Sequence, residues 1–416
     1  MGIWAQAITI VPQLSGYIDV SHTSHTTSNT GIQRVTRCMT RAIGELVESV
    51  SPVTFDPFQD AWRELNDKER ECLFPKDFAR PGSRRRPRWT TRQRIFGVSQ
   101  RPILGPKRQF LKGETPFDFV LFPEIISEEI GNQFPVIRPA AGSLGPRIGV
   151  FHDAIAWKFP EWSAKKTADR YPGYMQSLLN LDGIAAVSEA SKSDLLEFWN
   201  SIGVPEKKRP RVEVLYLGTE PLAKKSKLRA VSDIPVVLCV ATLEARKNHI
   251  GLLAAVAYLW HLGYRFKLEL VGGSNRETGV EAVAAIERFR ESGLPVTWHG
   301  AVSDGEVEAA YERADFVVYP SLYEGFGLPV IEATQWGKPM LTTFCGSLKE
   351  VVQGGGCHVL DSPSASSIAQ GMRELLDHPD YFARLQVEAL ARPVRTWKDY
   401  ASDMVSFVED MRNAAS

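Results

Sequence analysis

This sequence predicts two doubly wound α/β domains, each a parallel sheet wrapped by helices, and three observations predict it. Apolar, β-rich runs alternate with amphipathic helical runs, most regularly in the second half. The strand-like runs are apolar throughout, which marks a parallel sheet covered on both faces. At 416 residues the chain exceeds one ordinary core and has enough for two.

The first half follows this plan loosely. MGIWAQAITIVPQLSGYI lacks a basic n-region and reads as a first strand, not a signal peptide. YIDVSH (17–22) leads through a polar loop to a helix, GIQRVTRCMTRAIGELVE (31–48), and then to a strand, SPVTFD (51–56). Further strands are FDFVLFP (117–123), RIGVFHD (147–153), GIAAVSEA (183–190) and VEVLYLG (212–218). Polar residues near 218–234 then read as a linker.

The second half has a clearer rhythm. PVVLCVA (235–241) precedes a helix, NHIGLLAAVAYLWHLG (248–263), in which Ile250, Leu253, Ala254 and Ala257 recur at helical spacing and Asn248 is placed to cap. FKLELVG (266–272), helix VEAVAAIERFRES (280–292), PVTWHG (295–300), helix SDGEVEAAYERA (303–314) and DFVVYPS (315–321) follow. Helix PVIEATQWG (329–337), strand PMLTTF (339–344) and CHVLD (357–361) complete the pattern before a final helix. RTWKDYASDMVSFVEDM (395–411) is amphipathic, with Trp397, Tyr400, Met404 and Val408 on one side. These boundaries give domains over 1–220 and 221–392, with a C-terminal helix over 393–416.

Bulk properties exclude several classes. The 49 basic and 49 acidic residues cancel, so no whole-protein field points to nucleic acid. No apolar run approaches the ~20 residues of a membrane span. The five cysteines carry no C-x-x-C, which fits reduced thiols in a cytoplasmic protein and argues against a zinc site. Residues 78–113 hold eleven Lys or Arg and no acid. A solvated insertion is the favoured reading; the sharper one is a basic arm that touches anionic lipid or a lipid-linked diphosphate at the inner face of the plasma membrane.

In a parallel α/β sheet, ligands bind at the carboxyl ends of the strands. "ATLEARKNH" brings Arg246 and Lys247 to a helix N-terminus, a setting suited to diphosphate. In "VGGSNRE", Gly272 and Gly273 let a backbone approach a ligand closely. "SLYEGFGLPVIEA" sets Glu324 among glycines and Glu332 in the first turn of a helix begun at Pro329. Glu332 could accept both hydroxyls of a vicinal diol such as ribose, leaving Glu324 for another part of the same ligand.

That last stretch resembles the E-x7-E signature of retaining glycosyltransferases of family 4, which share the two-domain GT-B fold. "FHDAIAWKFPEW" (151–162) is similar to the family's His-Asp segment, "VSEASKSDL" (187–195) to its post-strand helix, and "VATLEARKNHIGLLAAV" (240–256) to its phosphate loop. "GAVSDGEVEAAYERADFVVYPS" (300–321) resembles the run leading into the signature. "SNTGIQRVTRCM" (28–39) resembles the N-terminal glycine loop of bacterial surface-polysaccharide enzymes.

The resemblance implies Rossmann-like domains facing across a cleft, with the last helix returning to the first domain. It implies catalytic roles for Glu324, His152 and Lys247. It implies donor binding by Gly31, Arg246, Lys247, Gly272, Val302, Glu324, Gly325, Phe326, Gly327, Leu328 and Glu332. Where many relatives carry Gly-Arg this chain has Ala241–Thr242, so Lys247 is the firmer cation. The implied partners are a nucleotide diphosphate sugar, GDP-mannose among the donors, and a saccharide or polyprenyl-diphosphate-linked acceptor, with no metal or other cofactor. A non-catalytic nucleotide-sugar binder and a GT-B phosphorylase are the alternatives. His22 and His25 flank the N-terminal loop; a metal pair or a polar acceptor-side loop fits them, and the latter is favoured.

Overall fold

The computed structural model describes residues 14–29, 31–58, 61–75, 95, 117–125, 145–222, 228 and 231–415. The basic stretch 78–113 lies outside these apart from Ile95, as do residues 1–13 of the expected first strand.

Two sheets form separate lobes. The first has strands β1 (Ser15–Asp19), β2 (Ser49–Asp56), β3 (Ala61–Glu64), β4 (Phe119–Phe122), β5 (Arg147–Phe151), β6 (Gly183–Ala186) and β7 (Arg211–Val214), in the order β3-β2-β1-β4-β5-β6-β7. The second has β8 (Val236–Val240), β9 (Lys267–Val271), β10 (Val296–Trp298), β11 (Phe316–Tyr319), β12 (Met340–Thr342) and β13 (Cys357–Val359), in the order β10-β9-β8-β11-β12-β13. Pairing is parallel except at the β2–β3 edge, where Val53 faces Glu64. Four residues, AWRE, are too few to announce β3 from sequence. These are the two Rossmann-like lobes of the GT-B arrangement. In each sheet the winding reverses once, between β1 and β4 and between β8 and β11, and such reversals open a crevice at the strand ends.

Strand interiors are apolar because helices cover both faces. β4, β6 and β11 are buried at every position. Helix His249–His261 shows the limit of periodicity. Leu252, Leu253, Ala255, Val256 and Leu259 are buried, while Ile250 and Ala254 are exposed. The expected face was therefore rotated. This helix is apolar almost all round, so its packing partners choose its buried side, chiefly helix Ala365–Asp377 and then helix Val280–Glu291. The tract after β13 also holds more helix than expected: Ala365–Asp377 and Pro379–Ala391 precede Trp397–Ala415.

The chain leaves the first lobe near Gly218 and returns near Thr396, and the two crossings touch. Thr219 N donates to Arg395 O at 2.9 Å, and a Cβ on Gly218 would lie 2.3 Å from the Thr396 carbonyl. Helix Trp397–Ala415 then buries Trp397, Tyr400, Met404 and Val408 against Gly31–Leu46 in the first-lobe core.

Candidate active site

The loops after β8 and β11 flank the second lobe's winding reversal, and they carry the expected charges. After β8 a single 3-10 turn, Ala245–Lys247, ends at Asn248, whose backbone is left-handed (φ 56°). The Asn248 side chain accepts from Gly251 N and caps the next helix. That sharp entry turns both cations toward β11. Lys247 Nζ lies 2.5 Å from Glu324 Oε1, and Arg246 Nη1 lies 2.6 Å from Glu324 Oε2. Tyr319 OH donates to Oε1 at 2.8 Å, while Arg246 Nε meets Glu244 at 2.8 Å. Glu324 is buried, which raises its pKa, but Arg246 and Lys247 outweigh burial and hold it at about 2. Two cations thus face two carboxylates, and the cluster is balanced. Arg246, ranked below Lys247 from sequence, reaches the same carboxylate.

The glycines around Glu324 meet close packing. A Cβ on Gly325 would stand 2.3 Å from His152 O in the opposite lobe, and Gly327 is left-handed at φ 98°. Gly325 therefore sits at the seam between lobes. Phe326 is buried in the first-lobe core, with half-buried Leu328 against it. The following helix begins at Leu328, one residue earlier than expected. Glu332 is therefore its fifth residue, beyond the first turn, and the end of the helix dipole does not account for it. Its Oε2 accepts from Tyr311 OH at 3.0 Å, and its Oε1 is ion-paired with Arg34 of the first lobe.

From the first lobe, His152 arrives at the end of β5. Its Nε2–H donates to Pro123 O at 2.7 Å, leaving Nδ1 as acceptor, and burial keeps the ring's pKa below its usual value. Ser191 Oγ donates to His152 O at 2.8 Å, and Ser188 Oγ to Gly325 O at 2.7 Å. Gly31 opens helix Gly31–Leu46, three residues ahead of Arg34, and among the described residues a would-be Cβ there meets open space.

Other expected residues lie elsewhere or act differently. At Gly272 (φ 144°) a Cβ would fall 2.0 Å from Ala241 O, so the close backbone approach is to the neighbouring loop. Half-buried Val302 packs on the second-lobe cluster that contains Tyr311, Tyr319 and Val330. His22 and His25 diverge: His22 Nδ1 lies 3.3 Å from Gln33 Nε2, and His25 Nε2 lies 3.1 Å from Glu69. Beside them, at the first lobe's own winding reversal, Glu124 accepts from His22 N and Thr23 N at 2.7 and 2.8 Å.

Sequence reading missed Tyr311, Tyr319, Arg34, Ser188 and Glu124. Arg34 stood in view within "TGIQRV". The tyrosines lie within the helical run 303–314 and the strand run 315–321, where no pattern singles them out.

Residues 222–391 match the family model described as glycosyl transferases group 1. The chain is 27% identical over 382 residues to the serotype-specific mannosyltransferase WbdA of Escherichia coli, covering 86% of this chain and 42% of that protein. It is 28% identical over 275 residues to O-antigen chain mannosyltransferase B of Escherichia coli, covering 62% and 69%. Anabaena Alr3699/HepE, solved with UDP and glucose, matches the fold with a TM-score of 0.62 at 14% identity, covering 95% of this chain and all of that one. The chain spans less than half the length of the serotype-specific relative.

Proposed function

Because residues 222–391 form a glycosyl transferases group 1 domain, we propose that this chain is a retaining hexosyltransferase of surface-polysaccharide assembly. It moves a hexose from a nucleoside diphosphate sugar to a saccharide acceptor. Mannose is the favoured sugar, since both Escherichia coli relatives are titled mannosyltransferases. The UDP and glucose held by the Anabaena protein support a nucleotide-sugar donor. The reaction uses no metal or other cofactor. It takes place in the cytoplasm, at the inner face of the plasma membrane where the acceptor is lipid-linked.

One observation carries the reading: Lys247, Arg246 and Tyr319 converge on Glu324 at the second lobe's winding reversal. Departure of the diphosphate builds negative charge beside the anomeric carbon, and preorganised cations are the largest available stabiliser of such charge. Lys247 and Arg246 supply it as they shift from Glu324 to phosphate oxygens. Helix Leu328–Gln335 adds its positive end.

Glu324 does not suit the role of nucleophile. Both of its oxygens accept hydrogen bonds, and a pKa near 2 makes it a weak base. Retention then follows from acceptor attack on the face that diphosphate leaves, with a phosphate oxygen taking the proton. Glu324 positions and balances the cations, Glu332 takes the ribose diol, and His152 Nδ1 is left to accept from a sugar hydroxyl.

Glu324→Gln tests this. Turnover should fall at least ~100-fold, while GDP or UDP affinity, followed by thermal shift, is retained or tightened as the cations are freed. Loss of nucleotide binding would contradict the assignment. The rival reading, a non-catalytic binder, requires that radiolabelled donor be neither transferred nor hydrolysed.

A further inference from the structure

Three aromatic side chains meet where the lobes join, and the mechanism above leaves them idle. Phe159 and Trp162 stack at 4.2 Å with their planes 19° apart, and the Tyr323 ring stands 5.2 Å from Phe159. Phe159 and Trp162 follow His152 at the carboxyl end of β5, whereas Tyr323 immediately precedes Glu324 in the opposite lobe. All three are half-buried, and none is part of the four apolar cores. The Trp162 indole N–H finds no acceptor among the described residues.

The surroundings are polar and hold the Tyr323 ring in place. Tyr323 OH donates to Asp194 at 2.7 Å, and its carbonyl accepts from Arg246 at 3.3 Å. Lys158 Nζ lies 2.6 Å from Asp194, 2.8 Å from Glu197 and 5.8 Å from the Tyr323 ring centre. Nearby, Lys165 N reaches Glu277 across the seam at 3.3 Å. Aromatic rings left outside the cores, with charged groups around their edges, match one ligand chemistry well. A pyranose offers an apolar face of polarised C–H bonds, which settles on the negative face of a ring, and a rim of hydroxyls that needs donors and acceptors.

We infer that Phe159, Trp162 and Tyr323 form a stacking subsite for a pyranose ring of the acceptor saccharide. The inference rests on the transferase reading and deepens it. Glu332 and the Arg246–Lys247 pair engage the donor's nucleotide, and the stacked rings engage the molecule that receives the hexose.

The test uses the full chain with GDP present and α-mannotriose or maltotriose as the probe, followed by calorimetry. Trp162→Ala and Phe159→Ala should each weaken binding of the better trisaccharide roughly tenfold, while Trp162→Phe, which keeps a stacking face, stays within about threefold. GDP affinity and melting temperature should match the parent in all three variants, which shows that they fold. Trisaccharide binding unchanged by both alanine variants overturns the inference. So does failure of the parent protein to bind either trisaccharide. GDP affinity falling in step with Trp162→Ala overturns it too, because the rings would then stack on the nucleobase. Failure of the transferase reading looks different: the parent protein would bind no nucleotide and hydrolyse no donor, whatever occupies position 162.

Discussion

At the scale of single residues, two buried acids are tuned in opposite directions. Glu324 is held at about 2 against its ordinary 4.5, so its ion pairs add stability above about pH 4.5 that is lost as pH falls toward 2. The stability gap between the parent and Glu324→Gln, read by urea unfolding, should therefore close over that acid range. Asp19 goes the other way. Burial, and then the neighbouring Glu124 carboxylate, push it from 3.8 up to about 7. The unfolded chain releases that proton first, so Asp19 costs stability as pH rises from about 4 to 7. Asp19→Asn should gain on the order of 4 kcal/mol at pH 8 and well under ~1 kcal/mol at pH 4. A gain that persisted at pH 4 would contradict the assignment. Lys247 and Glu324 were legible because strand-end loops announce themselves in the sequence. Their partners were not: Arg34 meets Glu332 from 298 positions away, and no local pattern records that.

Among elements, the sequence is most informative where one face is apolar and the other is not. Helix Trp397–Ala415 has such contrast, and the four residues read as one side are all buried. Helix His249–His261 lacks it, and its buried side could not be read. Met404→Ala empties a site in the first-lobe core and should cost about 2–5 kcal/mol in chemical denaturation. Gly272→Ala meets both a left-handed backbone and the Ala241 carbonyl, so it should cost at least ~2 kcal/mol, with nucleotide binding impaired along with it. A Gly272→Ala protein as stable as the parent would show that the loop yields freely.

For the whole molecule, alternation and length foretold two lobes, but how they close was not readable. The seam is held by scattered groups: Arg34 with Glu332, Ser188 and Ser191 with Gly325 O, and Tyr323 with Asp194. Glu350 of the second lobe accepts from Glu189 N and Ala190 N at 2.9 Å each, closing the N-terminus of helix Glu189–Ser201. Each such bond contributes on the order of 1 kcal/mol, so the lobes are held together by many small terms. Glu350→Ala should enlarge the radius of gyration of the nucleotide-free protein in small-angle scattering, with GDP reversing the change. Identical scattering curves for parent and variant would show that the remaining contacts suffice.

The paired crossings at Thr219 and Thr396 set how that opening can proceed. Two segments bonded side by side behave as one pivot: bending about it is easy, whereas twisting would shear the Thr219–Arg395 bond. Motion is thereby confined near a single axis. A few degrees at the pivot become ångströms at the far lip of the crevice.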